Sequence, residues 1–173
     1  MEKKIIQLPP ENNRTAKPKD KKKRTVVSHK NWNADTNVKE ALLSIQKKEI
    51  NKLDKNEKML YTQLRNKCNS YMNQDKKKGM LNEEKLIKLS EVIDKILECD
   101  FKCFYCKKEV QLLYENIREP LQWSLERIDN DYGHNLDNIE ISCLSCNLHR
   151  KTMHYERFKF TKEMVLVKKD NSV

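Results

Sequence analysis

The chain reads as an α+β protein in three parts: a disordered basic arm (1–35), a small helical region (36–99) and a C-terminal four-cysteine ββα module (100–160), followed by a tail (161–173). Three observations carry that reading. Cys103, Cys106, Cys143 and Cys146 form a C-x2-C-x36-C-x2-C array. Between the pairs, WSLERIDNDYGHNLDNIEIS has the pattern of a strand, a turn-rich loop around Gly133 and a second strand ending at the second pair. Upstream, apolar residues recur at three- and four-residue steps, the period of helices that pack along one face.

The arm comes first. Residues 1–34 hold ten Lys or Arg against three acids and so carry +7 of the net charge of +10. With Pro9, Pro10 and Pro18 and no apolar periodicity after Leu8, the segment has little to bury and is expected to be disordered by itself. A mobile arm holding Lys21, Lys22, Lys23 and Arg24 suits contact with a phosphate backbone, where each neutralised phosphate releases counterions. The same four residues also read as a nuclear import signal. Lys and Asn together number 46, a bias that AT-rich coding produces, so part of the basicity is compositional.

Three helices follow. Thr36 or Asn37 can cap a first one, whose Val38, Ala41, Leu42 and Ile45 share a face. A second begins near Asp54 and carries Leu60, Leu64, Cys68 and Tyr71 or Met72; it stops at Lys76, Lys77, Lys78 and Gly79, with cations at its C-terminus. Asn82 caps a third with the clearest amphipathic pattern of the chain, from Leu86 and Leu89 through Val92, Ile93, Ile96 and Leu97. These stripes read as packing surfaces for a small bundle, for a second copy of the chain or for a protein partner.

In the module, two residues between cysteines let a tight turn aim both sulfurs at one ion, and four thiolates satisfy tetrahedral Zn2+. Cys68 and Cys99 are left over. Cys68 reads as a small buried apolar residue, and Cys99 as a substitute ligand or a packed thiol. Beyond the second pair, the segment from Asn147 through Phe160 reads as the α element. Leu148, Met153, Tyr155 and Phe158 are expected to cover the strands, with Arg150, Lys151, Arg157 and Lys159 facing phosphate. The closing TKEMVLVKK reads as a short strand or a docking tail.

The order of knuckle, strand, loop, strand, knuckle, Asn and helix in SLERIDNDYGHNLDNIEISCLSCNLHRK resembles the HNH, or ββα-metal, endonucleases with a four-cysteine zinc site. The resemblance covers residues 100–160. It implies that Glu126 and Asn147 hold a catalytic Mg2+ or Mn2+ against the scissile phosphate, since hard cations favour oxygen ligands. It implies also that Asn138 braces the loop through backbone hydrogen bonds. Arg127 stands where the family has a His that deprotonates the attacking water. A guanidinium stays protonated and cannot be that base, but it can neutralise charge on the phosphate. The proton must then go to another group. His134, Tyr132 and Asp129 lie in the adjoining loop and His149 and His154 on the helix; His134 is preferred. Read from the residues alone, Glu126 and Arg127 are equally an ion pair at a strand end, Asn147 an N-cap and His134 a solvated turn residue.

No stretch reaches the roughly 20 apolar residues of a membrane span, and MEKKIIQLPPENN lacks the apolar core of a secretory signal. An intracellular, reducing compartment is therefore expected, in which paired cysteines serve as metal ligands rather than disulfides. Only Gly79 and Gly133 occur, which excludes a Gly-rich phosphate loop. The expected function is metal-dependent hydrolysis of phosphodiester bonds in nucleic acid, foremost DNA, with structural Zn2+. The alternative is a non-cleaving module of the same fold that binds nucleic acid or serves as a structural subunit of a larger complex.

Overall fold

A computed structural model of the chain describes Lys22, Lys23 and residues 38–164. Lys21, Arg24, Thr36, Asn37 and the rest of the arm, with residues 165–173 of the tail, lie outside the described residues. Helices surround a small two-stranded sheet beside a cysteine cluster, an arrangement consistent with the α+β class. The elements run α1 (Val38–Lys47), α2 (Lys55–Lys78), α3 (Leu89–Glu98), β1 (Trp123–Arg127), β2 (Ile139–Cys143), α4 (Leu144–Arg150) and α5 (Tyr155–Glu163). No described helix is long and apolar enough to cross a membrane.

α2 is the spine. Asp54 caps it through a reciprocal box: its Oδ1 accepts from the amides of Asn56 and Glu57 at 2.7 and 2.8 Å, while Glu57 Oε2 accepts from the Asp54 amide at 2.9 Å. Glu57 also receives Lys48 Nζ at 2.9 Å, which ties the end of α1 to the start of α2. Gly79 ends the helix at φ 67°, a left-handed conformation that favours glycine.

The third helix is shorter than its apolar pattern predicts. Asn82 Oδ1 accepts from the amides of Glu84 and Lys85, but it caps a single turn. Leu86 and Ile87 then leave the helix because their segment pairs with the loop before β2: the Ile87 amide donates to His134 O at 3.0 Å, and the Leu136 amide to Lys85 O at 3.0 Å. α3 proper starts at Leu89. Tertiary hydrogen bonds override helical periodicity here.

β1 and β2 pair antiparallel with Leu125 opposite Ile141 and Glu126 opposite Glu140. A lone hairpin is marginal in water. This one is enclosed: Trp123, Leu125, Ile139 and Ile141 join Leu42, Leu60, Leu64, Val92 and Ile96 in one hydrophobic cluster, so the helices and the cysteine module share a core. The outer edge of β1 is covered by side chains. Tyr71 Oη accepts from the Leu125 amide at 3.2 Å, and Lys67 Nζ donates to the Trp123 carbonyl. Unpaired strand edges invite association, and α2 removes this one.

The expected single helix from Asn147 to Phe160 is two. α4 begins at Leu144, capped by Cys143, and ends where Lys151 turns to φ 52°. α5 starts at Tyr155. Phe158 is buried against Tyr105, whereas Leu148 and Met153 are exposed and do not cover the strands.

Candidate metal centre and adjoining cleft

The four predicted sulfurs converge. Cys103, Cys106, Cys143 and Cys146 place their Sγ atoms within 4.8 Å of one another, with Cys106 and Cys143 at 3.9 Å. An ion bonded to four sulfurs at about 2.3 Å would set them about 3.8 Å apart, so the cage matches a tetrahedral soft-metal site. Each knuckle is shaped by its backbone. The Lys107 amide donates to Cys103 O at 3.0 Å, with Lys107 at φ 58°, and the Cys146 amide donates to Cys143 Sγ at 3.4 Å. Thiol protons shared within the cage pull Cys103 down to about 4, while burial and the neighbouring negative charge push Cys146 up to about 12. Four adjacent sulfurs cannot all ionise without a cation, so the donor set fits a bound metal and is compatible with structural zinc. Cys99 is not in the cage; it caps α3 and donates to Ile96 O at 3.4 Å. Cys68 is half-buried against the core, its thiol pushed up to about 11 by burial.

Beside the cage, a cleft of about 310 Å³ opens between α2, the end of β1 and α4, and Glu126, Arg127, His134, Asn147, Arg150 and Lys151 all line it. Glu126 is 2% exposed. Its Oε1 accepts from Arg150 Nε and, at 3.4 Å, from Tyr105 Oη. Arg150, 4% exposed, also donates to Arg127 O at 2.6 Å, Asn130 Oδ1 at 2.9 Å and Met153 O at 2.8 Å. Arg150 therefore does not face solvent phosphate as expected: the buried Glu126 carboxylate, opposite Glu140 in the hairpin, draws it inward. Burial still raises the Glu126 carboxyl, against the pull of Arg150. Oε2 of Glu126 has no hydrogen bond among the described residues. Neither has Oδ1 of Asn147, whose Nδ2 donates to Leu125 O at 3.3 Å. Asn147 lies inside α4, so the N-cap role falls to Cys143 instead.

His134 is buried, not solvated, at 4% exposure. Its Nδ1 lies 2.7 Å from Asp75 Oδ1 and its amide donates to Asp75 Oδ2 at 2.6 Å; Asp75 comes from α2 and is 1% exposed. A carboxylate accepts, so Nδ1 carries the proton and Nε2 the lone pair. Burial lowers the His134 pKa despite Asp75, which keeps the ring neutral. Nε2 has no hydrogen-bond partner among the described residues, and the ring lines the cleft. Gly133 permits this seat: a Cβ there would stand 2.5 Å from Met80 O and 2.8 Å from Asp75 Oδ2.

Asn138 holds the same loop, its Oδ1 accepting from the Asp129 amide at 2.8 Å and its Nδ2 donating to Asp129 O and Gly133 O. Arg127 does not pair with Glu126. Its Nη1 donates to Asn130 O at 3.2 Å and Tyr132 O at 3.0 Å, bracing the loop, while Nη2 and Nε have no partner among the described residues. Tyr132, His149 and His154 are exposed and are not among the residues that line the cleft. Of the arm, Lys22 O accepts from the Ile117 amide at 3.0 Å and Lys23 Nζ lies 3.8 Å from Glu115. The sequence reading gave no site role to Tyr71 and Lys78, which α2 brings to the cleft, or to Asp75, which stands behind His134. One signal was present: Asp75 continues the apolar stripe of Leu60, Leu64 and Tyr71, and an acid on a buried face requires a partner.

Comparison of this chain with protein-family models, with curated proteins and with solved structures finds no match.

Proposed function

We propose that the chain is an HNH-type endonuclease that hydrolyses phosphodiester bonds in nucleic acid, foremost DNA, at the cleft beside a structural zinc. The observation that carries this reading is the Asp75–His134 pair opening on the cleft that Glu126, Arg127 and Asn147 line. A base oriented by a carboxylate is the arrangement that proton abstraction from water needs. It answers the problem posed by Arg127: the base enters from the loop, aligned by α2, and the guanidinium is left to the phosphate. In this assignment His134 Nε2 takes the proton of the attacking water. Asp75 fixes the tautomer. Arg127 offers Nη2 and Nε to non-bridging oxygens, with Lys78 and Lys151 adding positive charge around the cleft. Glu126 Oε2 and Asn147 Oδ1 are the oxygens suited to Mg2+ or Mn2+, which when bound supplies charge to the developing phosphorane and leaving oxygen.

The test is incubation of the protein with supercoiled, branched and single-stranded DNA and Mn2+, beside Glu126→Gln, His134→Asn and Asn147→Ala. Glu126→Gln is preferred to Glu126→Ala because it keeps a hydrogen-bonding partner for the buried Arg150. Loss of the base should slow cleavage by about 100-fold or more. Cleavage untouched by all three substitutions sinks the assignment. One observation favours a second reading: Arg150 already occupies one oxygen of Glu126. A chain whose carboxylate is held by arginine fits a nucleic-acid-binding factor or a structural subunit without hydrolysis. Salt-dependent DNA binding with no cleavage in any metal is the outcome that selects it.

A further inference from the structure

Resting on the reading of the cleft as a nucleic-acid site, we infer that the outer face of α2 is the track along which the polynucleotide strand reaches it. Three concavities follow one another along this helix. The first, about 310 Å³, lies among Gln63, Asn66, Ser70, Tyr114 and Trp123. The second, about 440 Å³, shares Asn66 and Ser70 and continues through Asn73, Gln74 and Lys77. The third is the cleft, which shares Gln74 and adds Lys78. Common residues make them one trough. From Gln63 to Lys78 it spans about 22 Å of helix, at 1.5 Å per residue. That length matches about six nucleotide steps of 3.4 Å.

Charge selects the occupant. α2 carries seven Lys or Arg and two acids, and both acids are buried, Glu57 against Lys48 and Asp75 against His134. Hence no carboxylate of α2 reaches the trough. Its middle stretch is walled by the amides, hydroxyl and cation of Asn66, Ser70, Asn73, Gln74 and Lys77, groups suited to phosphate and base edges. At one end Lys67 Nζ sits 5.0 Å from the Tyr114 ring centre beside Leu112 and Trp123, and at the other the Glu126 carboxylate is paired with Arg150. A groove elsewhere on the molecule makes the contrast. The hollow among Lys85, Lys88 and Leu136 also contains Glu84, Glu91 and Asp137, and would repel a polyanion as much as attract it. α2 thus buries both of its acids and keeps six of its seven cations exposed, Lys67 alone being half-buried against the Trp123 carbonyl.

The experiment uses the full chain and a labelled oligodeoxynucleotide, single-stranded and duplexed, with anisotropy read at several salt concentrations. The triple variant Asn66→Asp/Asn73→Asp/Lys77→Glu is compared with Lys47→Glu/Lys52→Glu, which makes the same change in net charge away from the trough. The triple should weaken binding at least about tenfold and flatten the salt dependence, with the control within about twofold of the native protein. Equal loss in both variants overturns the track, and so does polyglutamate competing as well as DNA, which would mark a surface for acidic protein. All three positions are exposed, so the fold should survive. If melting shows otherwise, Asn66→Ala/Asn73→Ala/Lys77→Ala replaces the triple and must weaken binding in the same direction. Failures are separable. If no form of the protein cleaves yet the triple loses binding, the track stands and the hydrolytic reading falls. If the native protein cleaves and the triple binds and cleaves like it, the reverse holds.

Discussion

The sulfur cage and the cleft lie side by side on the same hairpin, yet they are built in opposite ways. The cage draws on two local turns whose backbone geometry aims four identical soft donors inward. The cleft draws on residues far apart in the chain: His134 meets Asp75 across 59 positions, and Glu126 meets Arg150 across 24. In the cage, four sulfurs stand together, and all four can ionise only around a cation. In the cleft, each buried charged group already has a partner from the protein, Arg150 for Glu126 and the neutral His134 ring for Asp75. A site of the first kind is a fold-forming unit. One of the second kind is a preset arrangement that can stand without its ion.

That contrast is broken or sharpened by measurement. Metal removal is the largest lever. A strong chelator, or Cys143→Ser with Cys146→Ser, should unfold the region around Trp123, because metal binding to such clusters contributes on the order of 10 kcal/mol. Tryptophan fluorescence and near-ultraviolet circular dichroism read the loss. EDTA concentrations that strip only Mg2+ or Mn2+ should leave both signals intact, and loss of fold under those conditions would erase the distinction. Next comes Glu126→Ala, which leaves the Arg150 guanidinium buried without its partner and should cost about 3–5 kcal/mol in urea unfolding. Pairing it with Arg150→Met should recover most of that loss; absence of recovery would mean the two do not act as a unit.

Smaller effects probe the seat of His134. Gly133→Ala forces a Cβ against the Met80 carbonyl, a backbone atom that cannot swing aside, and should cost about 1–3 kcal/mol. For pH, the sign follows from proton counts. The folded His134 pKa lies below 6.5, so between those two values the unfolded chain binds more protons than the folded one. Stability therefore falls as pH drops below about 6.5, by at most about 1.4 kcal/mol per pH unit for one proton. His134→Gln should flatten that part of the curve, and an unchanged slope would remove the histidine from the account. Asp54→Ala, at the start of α2 and remote from both sites, should cost about 1 kcal/mol and leave cage and cleft signals alike.

Elements with a local cause were legible from the residues. Asp54 and Gly79 bound α2 because capping and a left-handed stop depend on single side chains, and the alternation of WSLER and IEISC marks two strands. Elements with competing causes were not. Leu86 belongs to the apolar period of the third helix, but its backbone is paired with the loop before β2. The helix expected after Asn147 breaks at Lys151, where Arg150 turns back toward Glu126.

Spacing alone sufficed for the cage, since two residues between cysteines leave the sulfurs little freedom about where to point. It sufficed also for placing Glu126, Arg127, His134 and Asn147 on one hairpin and helix. Which charges meet was settled by packing: α2, across the open edge of β1, brings Asp75 to His134, and α4 brings Arg150 to Glu126. Burial there strips water from Glu126 and His134, and a desolvated charge or imidazole takes whatever partner the surrounding helices present. The buried stripe of α2 marks Asp75 as needing a partner, but no short-range pattern pairs it with His134 or Arg150 with Glu126, because the force that selects these pairs acts only once the core has closed.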